Sequence, residues 1–295
     1  MKNFFRYFLY ASLVFLIWSL VKADYLNIPV IFSNRQLVLS LMTLFVGFII
    51  SCYSWKKTLD HAGYEVEFSE AISSTGLSVF GKYIPGKIWM ILGEAGYISK
   101  KRGYPLDKLI SVTLNAQFLS LWTGLLTGSI GLLLLDKFNT WGIAIVILWS
   151  ILTLILFTNF LHKFAETILK KILKLEYQLP RFSIQNILKL LPSYFGYWLC
   201  WALSFYFFAA SLCPHEIVIA AAFAFPLSMA LGIVVIIAPG GVGIREGFLV
   251  SYFLLSGLDV KYATTISVAS RLWYLSGEFF LFLCGFVLDK IKNKH

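Results

Sequence analysis

Charged residues are scarce in this chain: Asp, Glu, Lys and Arg make up 14% of its 295 residues. A water-soluble domain usually contains about 25% charged residues. Hydrophobic residues reach 59%, and several apolar runs approach the ~20 residues that a helix needs to cross a bilayer. These proportions exclude an ordinary soluble protein and predict an all-α polytopic membrane protein that forms a single membrane domain, 1–295.

Histidine and cysteine are also rare, with four of each in the chain. Their spacing matches no metal-binding pattern and no disulfide framework. The sequence contains no Walker loop, no G-x-S-x-G elbow and no H-E-x-x-H motif. We therefore expect no metal and no cofactor. Whether the chain is an enzyme stays open, and the lack of a catalytic motif favours a role without catalysis.

Six uninterrupted apolar segments are predicted to be full spans. They are residues 4–21, 37–55, 109–135, 141–160, 187–212 and 262–288. The first of them follows Lys2 and Arg6 and precedes a Val-Lys-Ala sequence, a pattern that a cleaved signal peptide also shows. Because this run is rich in aromatic residues and more spans follow, we expect a retained first helix.

Two further apolar stretches, 71–99 and 217–256, are interrupted by Pro-Gly. The first contains the sequence YIPGKIW, and the second contains APGGVGIREG. Proline removes a backbone donor and glycine adopts conformations that other residues avoid, so a helix is expected to break at each place. Each stretch is either two full spans or a re-entrant helical hairpin, and we expect hairpins.

Positive charge is distributed unevenly between the predicted loops. With the N-terminus inside and both hairpins re-entrant, nineteen of the 25 Lys and Arg residues lie on the inner side and five on the outer side. By the positive-inside rule this predicts a multi-pass protein of the cell inner (plasma) membrane with both termini in the cytoplasm. The net charge of +10 is then explained by loops that contact anionic lipid, so no nucleic-acid partner is expected.

The cytoplasmic segment 160–186 has apolar residues on one helical face and lysines on the other. This pattern predicts an amphipathic linker helix that lies in the headgroup region. A cytoplasmic linker helix with a solvated charged face is the alternative.

An internal repeat becomes visible when the chain is shifted by 154 positions. Pro85 and Gly86 then coincide with Pro239 and Gly240, and Gly103 coincides with Gly257. Each half, 1–135 and 141–288, consists of two spans, a broken hairpin and another span. Because each half crosses the membrane three times, the second half is predicted to be inverted relative to the first. Inverted repeats with broken helices are typical of secondary transporters.

The broken segments offer chemistry that suits an anion. A helix that starts near Ile244 exposes backbone N–H groups and the positive end of its dipole. Such an end binds phosphate or carboxylate, and Arg245 adds a guanidinium that pairs with phosphate in a forked geometry. Glu246 is placed to hold an arginine from another helix. Arg271 and Glu278 are seven residues apart and therefore share one face of the last span.

A polar cavity between the two hairpins is the predicted substrate-binding site. Its residues are predicted to be Pro85, Gly86, Lys87, Glu94, Pro239, Gly240, Gly241, Gly243, Arg245, Glu246, Arg271 and Glu278. Simpler interpretations stay open: a Pro-Gly-Gly break is also a tight turn between packed helices, an Arg–Glu pair also fixes helix register, and Lys82 and Lys87 are also ordinary inside-positive loop residues.

The run PGGVGIREG, together with YIPGKIW and the pattern of eight segments, resembles the lysylphosphatidylglycerol synthase transmembrane-region family, also described as flippase-like. The resemblance covers nearly the whole chain. It implies a membrane domain that moves aminoacylated phosphatidylglycerol between leaflets, and relatives that accompany the synthesis of envelope polysaccharides and glycolipids. Only seven residues follow Leu288, so we expect the chain to act without the cytosolic aminoacyl-transferase domain.

From these observations we expect a lipid translocase, or a lipid-handling protein, that binds an anionic phospholipid or lipid-linked headgroup in cell-envelope biogenesis. One alternative is a membrane-embedded transferase or hydrolase that acts on polyprenyl phosphate or phospholipid. Another is a non-transporting accessory subunit of a glycolipid-synthesis complex. The expected partners are membrane lipids and, in the last case, envelope-synthesis enzymes. The lipid, the coupling ion and the oligomeric state stay open.

Overall fold

The computed structural model describes residues 29–84, 88–135, 140–157, 184–234 and 243–292, and all of the regular structure in these residues is helical. Two short 3-10 helices occur among them, Val79–Tyr83 and Ile219–Phe223. The helices of the described residues are α1 Asn34–His61, α2 Phe68–Ser78, α3 Trp89–Arg102, α4 Leu106–Leu134, α5 Thr140–Phe157, α6 Ile184–Ser211, α7 Ala224–Val234, α8 Ile244–Leu255 and α9 Val260–Lys292. The prediction of an all-α membrane-type protein is confirmed.

Three of these helices, α1, α4 and α9, are long and apolar enough to cross a membrane, with 28, 29 and 33 residues. α5 and α6 occupy two more of the segments that were predicted as spans. The first predicted span, 4–21, lies outside the described residues, as does the linker helix 160–186 except for its last three residues, which begin α6. The count of six full spans therefore stays a prediction.

Both interrupted stretches consist of two short helices on either side of the Pro-Gly sequence. α2 and α3 have 11 and 14 residues, and α7 and α8 have 11 and 12. At about 1.5 Å per residue, none of them reaches the ~30 Å thickness of the hydrocarbon core. Short arms of this kind suit a hairpin that turns back, and re-entry itself stays a prediction.

The bounds of α3 and the start of α4 match those of α8 and α9 when the chain is shifted by 154 positions. Shifted by 154, α3 would cover 243–256 and α4 would begin at 260, whereas α8 is Ile244–Leu255 and α9 begins at Val260. Gly103 and Gly257, which end α3 and α8, both have left-handed φ angles, 73° and 86°, that favour glycine. The inverted orientation of the halves 1–135 and 141–288 remains a prediction.

The first arm of each hairpin packs against the last helix of the other half. α2 lies on α9, where a Cβ added to Gly76 would come within 2.5 Å of the backbone oxygen of Leu281. α7 lies on α4, where a Cβ added to Gly128 would come within 2.6 Å of the backbone of Leu227. Because lipid tails are as apolar as side chains, close packing of small residues is what holds such helices together. This exchange brings the two broken stretches to the same region of the molecule.

Among the described helices, the most extensive contact joins α1 and α6, one helix from each half. Ser40 and Ser204 hydrogen-bond reciprocally, each hydroxyl donating to the other's carbonyl oxygen at 2.8 and 2.6 Å. The indole of Trp273 on α9 donates to the Ser40 hydroxyl at 2.7 Å. These bonds fix α9 against α1 and α6, and α9 carries side chains of the candidate site.

Candidate functional site

The two broken stretches meet at one aromatic ring, that of Tyr274 on α9. The ammonium of Lys82, at the end of the first arm of the first broken stretch, lies 4.8 Å from the centre of this ring. The guanidinium of Arg245, at the start of α8, lies 5.6 Å from it. Cations at these distances are attracted by the face of an aromatic ring. A residue that follows α2 and a residue that begins α8 are therefore close neighbours, although 163 positions separate them in the chain.

The second stretch resumes as a helix at Ile244, where the sequence predicted it. Gly243 precedes the helix with a φ angle of 84°, a left-handed value that residues with a Cβ avoid. The backbone N–H of Gly243 donates to Oε2 of Glu246 at 2.7 Å. Glu246 therefore caps its own helix and places a carboxylate at the positive end of the helix dipole.

The last helix presents Arg271, Tyr274 and Glu278 on one face. The Nε of Arg271 donates to Oε1 of Glu246, so α9 is joined to the start of α8. Glu278 forms an ion pair with Lys82 and accepts a hydrogen bond from the hydroxyl of Tyr83 at 2.8 Å. The Glu246–Arg271 pair thus joins the second broken stretch to α9, and the Glu278–Lys82 pair joins the first broken stretch to α9.

Arg245, unlike Lys82 and Arg271, has no ion-pair partner among the described residues. Its side chain is buried, with 3% of its surface exposed, between α7 and α9. One terminal nitrogen donates to the hydroxyl of Ser270 at 3.2 Å, and the guanidinium lies 4.9 Å from the centre of the Phe225 ring. Its Nε has no hydrogen-bond partner among the described residues. A guanidinium has five N–H donors, so this one has capacity left for an acceptor.

We call Lys82, Arg245, Glu246, Arg271 and Glu278 the charge cluster. It contains three cations and two carboxylates, so it carries a net charge of about +1 when every member is ionised. Four of the five are buried, and Lys82 is about a quarter exposed. An excess charge in a membrane interior is costly unless an opposite charge joins it. The cluster is therefore suited to a small anionic group.

An apolar groove opens beside the start of α8, between α4, α5, α7 and α8. Its volume is about 440 Å³. Gly247, two residues after Arg245, lines it and has nothing within 4 Å of the place where a Cβ would stand. The other lining residues are Leu132, Ala144, Ile145, Leu148, Leu227, Leu231, Phe248, Ser251, Tyr252 and Leu255. Among the described lining residues, only the hydroxyl of Ser251 and the phenol of Tyr252 interrupt this apolar wall.

The structure brings together four of the residues predicted for the site: Arg245, Glu246, Arg271 and Glu278. Gly243 stands next to them as the cap of α8. Glu94 is elsewhere, beside Thr75 of α2, and no charged group of the described residues acts on its carboxylate. The other six predicted residues lie outside the described residues: Pro85, Gly86, Lys87, Pro239, Gly240 and Gly241.

Sequence reasoning did not single out Tyr83 and Tyr274, two aromatic residues that contact the charge cluster. Tyr274 had a detectable signal, because it lies three residues after Arg271 and four before Glu278 and so shares their helical face. Tyr83 had none, since its contact with Glu278 depends on the packing of α2 against α9.

Comparison with known proteins supports a relationship over most of the chain. The family model described as Lysylphosphatidylglycerol synthase TM region matches residues 4–281. A search of curated proteins found no match.

Proposed function

The chain belongs to the lysylphosphatidylglycerol synthase transmembrane-region family, and from this membership and the charge cluster we propose that it binds an anionic lipid headgroup and moves it between leaflets. Membership makes the chain a multi-pass membrane protein of a lipid-related family. The proposal adds the substrate class, the site and the transport step. It also retains the cell inner membrane, with both termini in the cytoplasm, as the location.

The observation that carries the proposal is the net positive charge of a buried cluster built from both broken stretches. A phosphate group supplies the missing negative charge and offers several acceptor oxygens. Arg245 has donors to spare, and its planar fork matches phosphate better than an ammonium does. The first turn of α8 adds the positive end of a helix dipole. Each of these features favours a phosphodiester over a neutral headgroup.

When no ligand is bound, the two carboxylates of the charge cluster neutralise two of its three cations. Glu246 holds Arg271, and Glu278 holds Lys82 and the hydroxyl of Tyr83. A phosphate that binds Arg271 or Lys82 competes with these carboxylates. Binding then loosens contacts that join the broken stretches to α9, which couples the headgroup to the position of the helices.

The groove beside Gly247 supports a lipid over a free phosphate. It lies next to the start of α8 and its walls are apolar, so an acyl chain fits there while the headgroup reaches Arg245. A soluble phosphate compound has no acyl chain that would bind in this apolar groove. The enzymatic alternative is weakened because Glu246 and Glu278, the carboxylates of the site, are both held in ion pairs and neither serves readily as a general base.

The proposal is tested with the purified protein in vesicles that contain a fluorescent lipid and an impermeant quencher. Phosphatidylglycerol, lysyl-phosphatidylglycerol and phosphatidylethanolamine serve as three separate substrates. We expect phosphatidylglycerol to become accessible from the other leaflet faster than in protein-free vesicles. A preference for the lysyl ester would assign the glutamates to its ammonium group, and equal rates with and without protein would reject transport.

Replacing Gly247 by leucine is expected to slow lipid transport several-fold without disturbing the fold. A Cβ added at Gly247 meets no atom of the described residues within 4 Å, and the longer side chain extends into the groove that Gly247 lines. Gly96→Leu on α3 is the matched control, since its Cβ also meets nothing within 4 Å and it lies away from the groove. Equal transport by the two variants would show that the groove holds no acyl chain.

A further inference from the structure

Glu94 is a buried acid that the charge cluster does not use. It lies on α3, and only 4% of its surface is exposed. Its polar neighbours among the described residues include the hydroxyl of Thr75 on α2, the thiol of Cys52 on α1 and the phenol of Tyr194 on α6. On α4, Val112 and Ala116 belong to the same hydrophobic cluster as Ala95, the neighbour of Glu94, and Asn115 is a buried polar residue of the same helix.

The other buried carboxylates of the described residues all have a cationic partner. Glu70 binds Arg102 at 2.8 Å, Glu246 binds Arg271, and Glu278 binds Lys82. No Lys, Arg or His in the described part of the chain lies within ion-pair distance of Glu94, and no charged group acts on it there. Glu94 therefore differs from the other buried glutamates of the same protein, each of which has a cation beside it.

An ionised carboxylate without a partner is very costly in an apolar interior, and such a group becomes neutral by taking up a proton. In the membrane, ionisable residues of this kind mark proton relays and ion pathways. The surroundings also suit the protonated form, because the buried hydroxyl of Thr75 has no hydrogen-bond partner among the described residues and is available to a carboxylic acid.

We propose that Glu94 is a proton-binding site that couples the movement of lipid to a proton gradient. In the conformation described here the carboxyl is protonated. Its O–H bond breaks when α3 moves and opens the carboxyl to water on one side, and it forms again with a proton taken from the other side. No redox partner or covalent intermediate is needed. The coupling rests on the proposed function, whereas the protonation of Glu94 does not.

The Pro-Gly interruption before α3 is the place where the proposed movement of α3 would occur. α3 follows directly on the Pro-Gly interruption, and its N-cap, Ile88, makes no side-chain capping bond. Gly93, the neighbour of Glu94, packs so closely on α2 that an added Cβ would come within 2.6 Å of the Ser78 hydroxyl. A change in the position of the first broken stretch, such as release of Lys82 from Glu278, therefore alters the surroundings of Glu94.

The first arm of the test detects the proton itself. Infrared difference spectra of the full-length protein against Glu94→Gln are expected to show the carbonyl band of a protonated carboxylic acid at neutral pH. Glu70→Gln is the matched control: Glu70 is equally buried but forms an ion pair with Arg102, so its removal is expected to leave that band in place. Absence of an acid band that depends on Glu94 would overturn the proposal.

The second arm measures coupling in the same vesicles that test lipid transport. With one proton moved per lipid, a gradient of one pH unit shifts the steady-state lipid distribution of the wild type by up to about tenfold. Glu94→Gln, which mimics the protonated acid, is expected to lose this response while it remains folded. Identical responses of the two proteins would overturn the coupling. If neither protein moves lipid, the proposed function fails, and the infrared band still decides whether Glu94 binds a proton.

Discussion

Replacing Arg245 by glutamine is expected to reduce the transport of phosphatidylglycerol by about tenfold to a hundredfold. A hydrogen bond to a charged group is worth about 1.5–3 kcal/mol, and the loss of that amount corresponds to these factors. Glutamine keeps a donor near Ser270 but removes the positive charge and the fork. The excess positive charge of the cluster also disappears, so the site no longer favours an anion. The measurement is the rate of lipid exposure in vesicles.

Two further variants separate the charge of Arg245 from its geometry. Arg245→Lys keeps the charge and loses the planar fork, so an intermediate rate is expected. Lys56→Gln removes a charge from a partly exposed pair with Asp60 that is remote from the cluster, and it is expected to leave transport unchanged. If Arg245→Gln transports phosphatidylglycerol at the wild-type rate, the cluster does not hold the headgroup.

Replacing Gly76 by leucine is expected to destabilise the protein by about 3 kcal/mol, the upper end of the usual cost of overpacking. The first added carbon would stand 2.5 Å from the backbone oxygen of Leu281, and a backbone atom does not move aside as a flexible side chain does. Because α2 packs on α9 at this place, the substitution pushes the two halves apart. Thermal unfolding in detergent is expected to shift down by roughly 6–12 °C.

The equivalent contact in the other half gives an independent check of this packing. A side chain at Gly128 on α4 would meet the backbone of Leu227 on α7 at 2.6 Å, so Gly128→Leu is expected to destabilise the protein to a similar degree. Gly96→Leu meets open space on α3 and is expected to leave the unfolding temperature unchanged or raise it slightly. Wild-type stability of both Gly76→Leu and Gly128→Leu would contradict the exchange of hairpin arms between halves.

The helices could be predicted from the sequence because their signals are local. Long apolar runs and Pro-Gly interruptions act on neighbouring residues only, and the start of α8 at Ile244 followed from the glycines before it. The shift of 154 positions also aligned Gly103 with Gly257, and the structure shows that these glycines follow α3 and α8 with left-handed φ angles. What these signals leave open is the number of crossings, because it depends on how each hairpin lies in the membrane.

The site could be predicted only where its residues share a helix or a turn. Arg271 and Glu278 were assigned to one face from their spacing, and Glu246 was expected to hold an arginine from another helix, which the structure shows to be Arg271. The pairing of Lys82 with Glu278 was not predicted, since these residues are 196 positions apart and meet through the packing of α2 on α9.

Glu94 is a residue that the sequence assigned to the site and the structure places elsewhere. Its place in the first broken stretch put it into the predicted cavity, yet the structure directs it towards Thr75. In a helix that is apolar on most sides, the sequence does not indicate which face turns to which neighbour. The rotation of a hairpin arm about its own axis is set by tight contacts such as Gly93 on Ser78, and these depend on the whole fold.

The most direct test of the central claim is where an anionic lipid headgroup binds. A phosphatidylglycerol analogue with a photoreactive headgroup is added to the protein in a bilayer, and the crosslinked residues are mapped by peptide mass spectrometry. We predict adducts at the start of α8 and on α9 between Arg271 and Glu278, with fewer adducts in Arg245→Gln. Adducts confined to lipid-facing residues such as Ile143 and Ile147 of α5, unchanged by that substitution, would contradict a headgroup site between the two broken stretches.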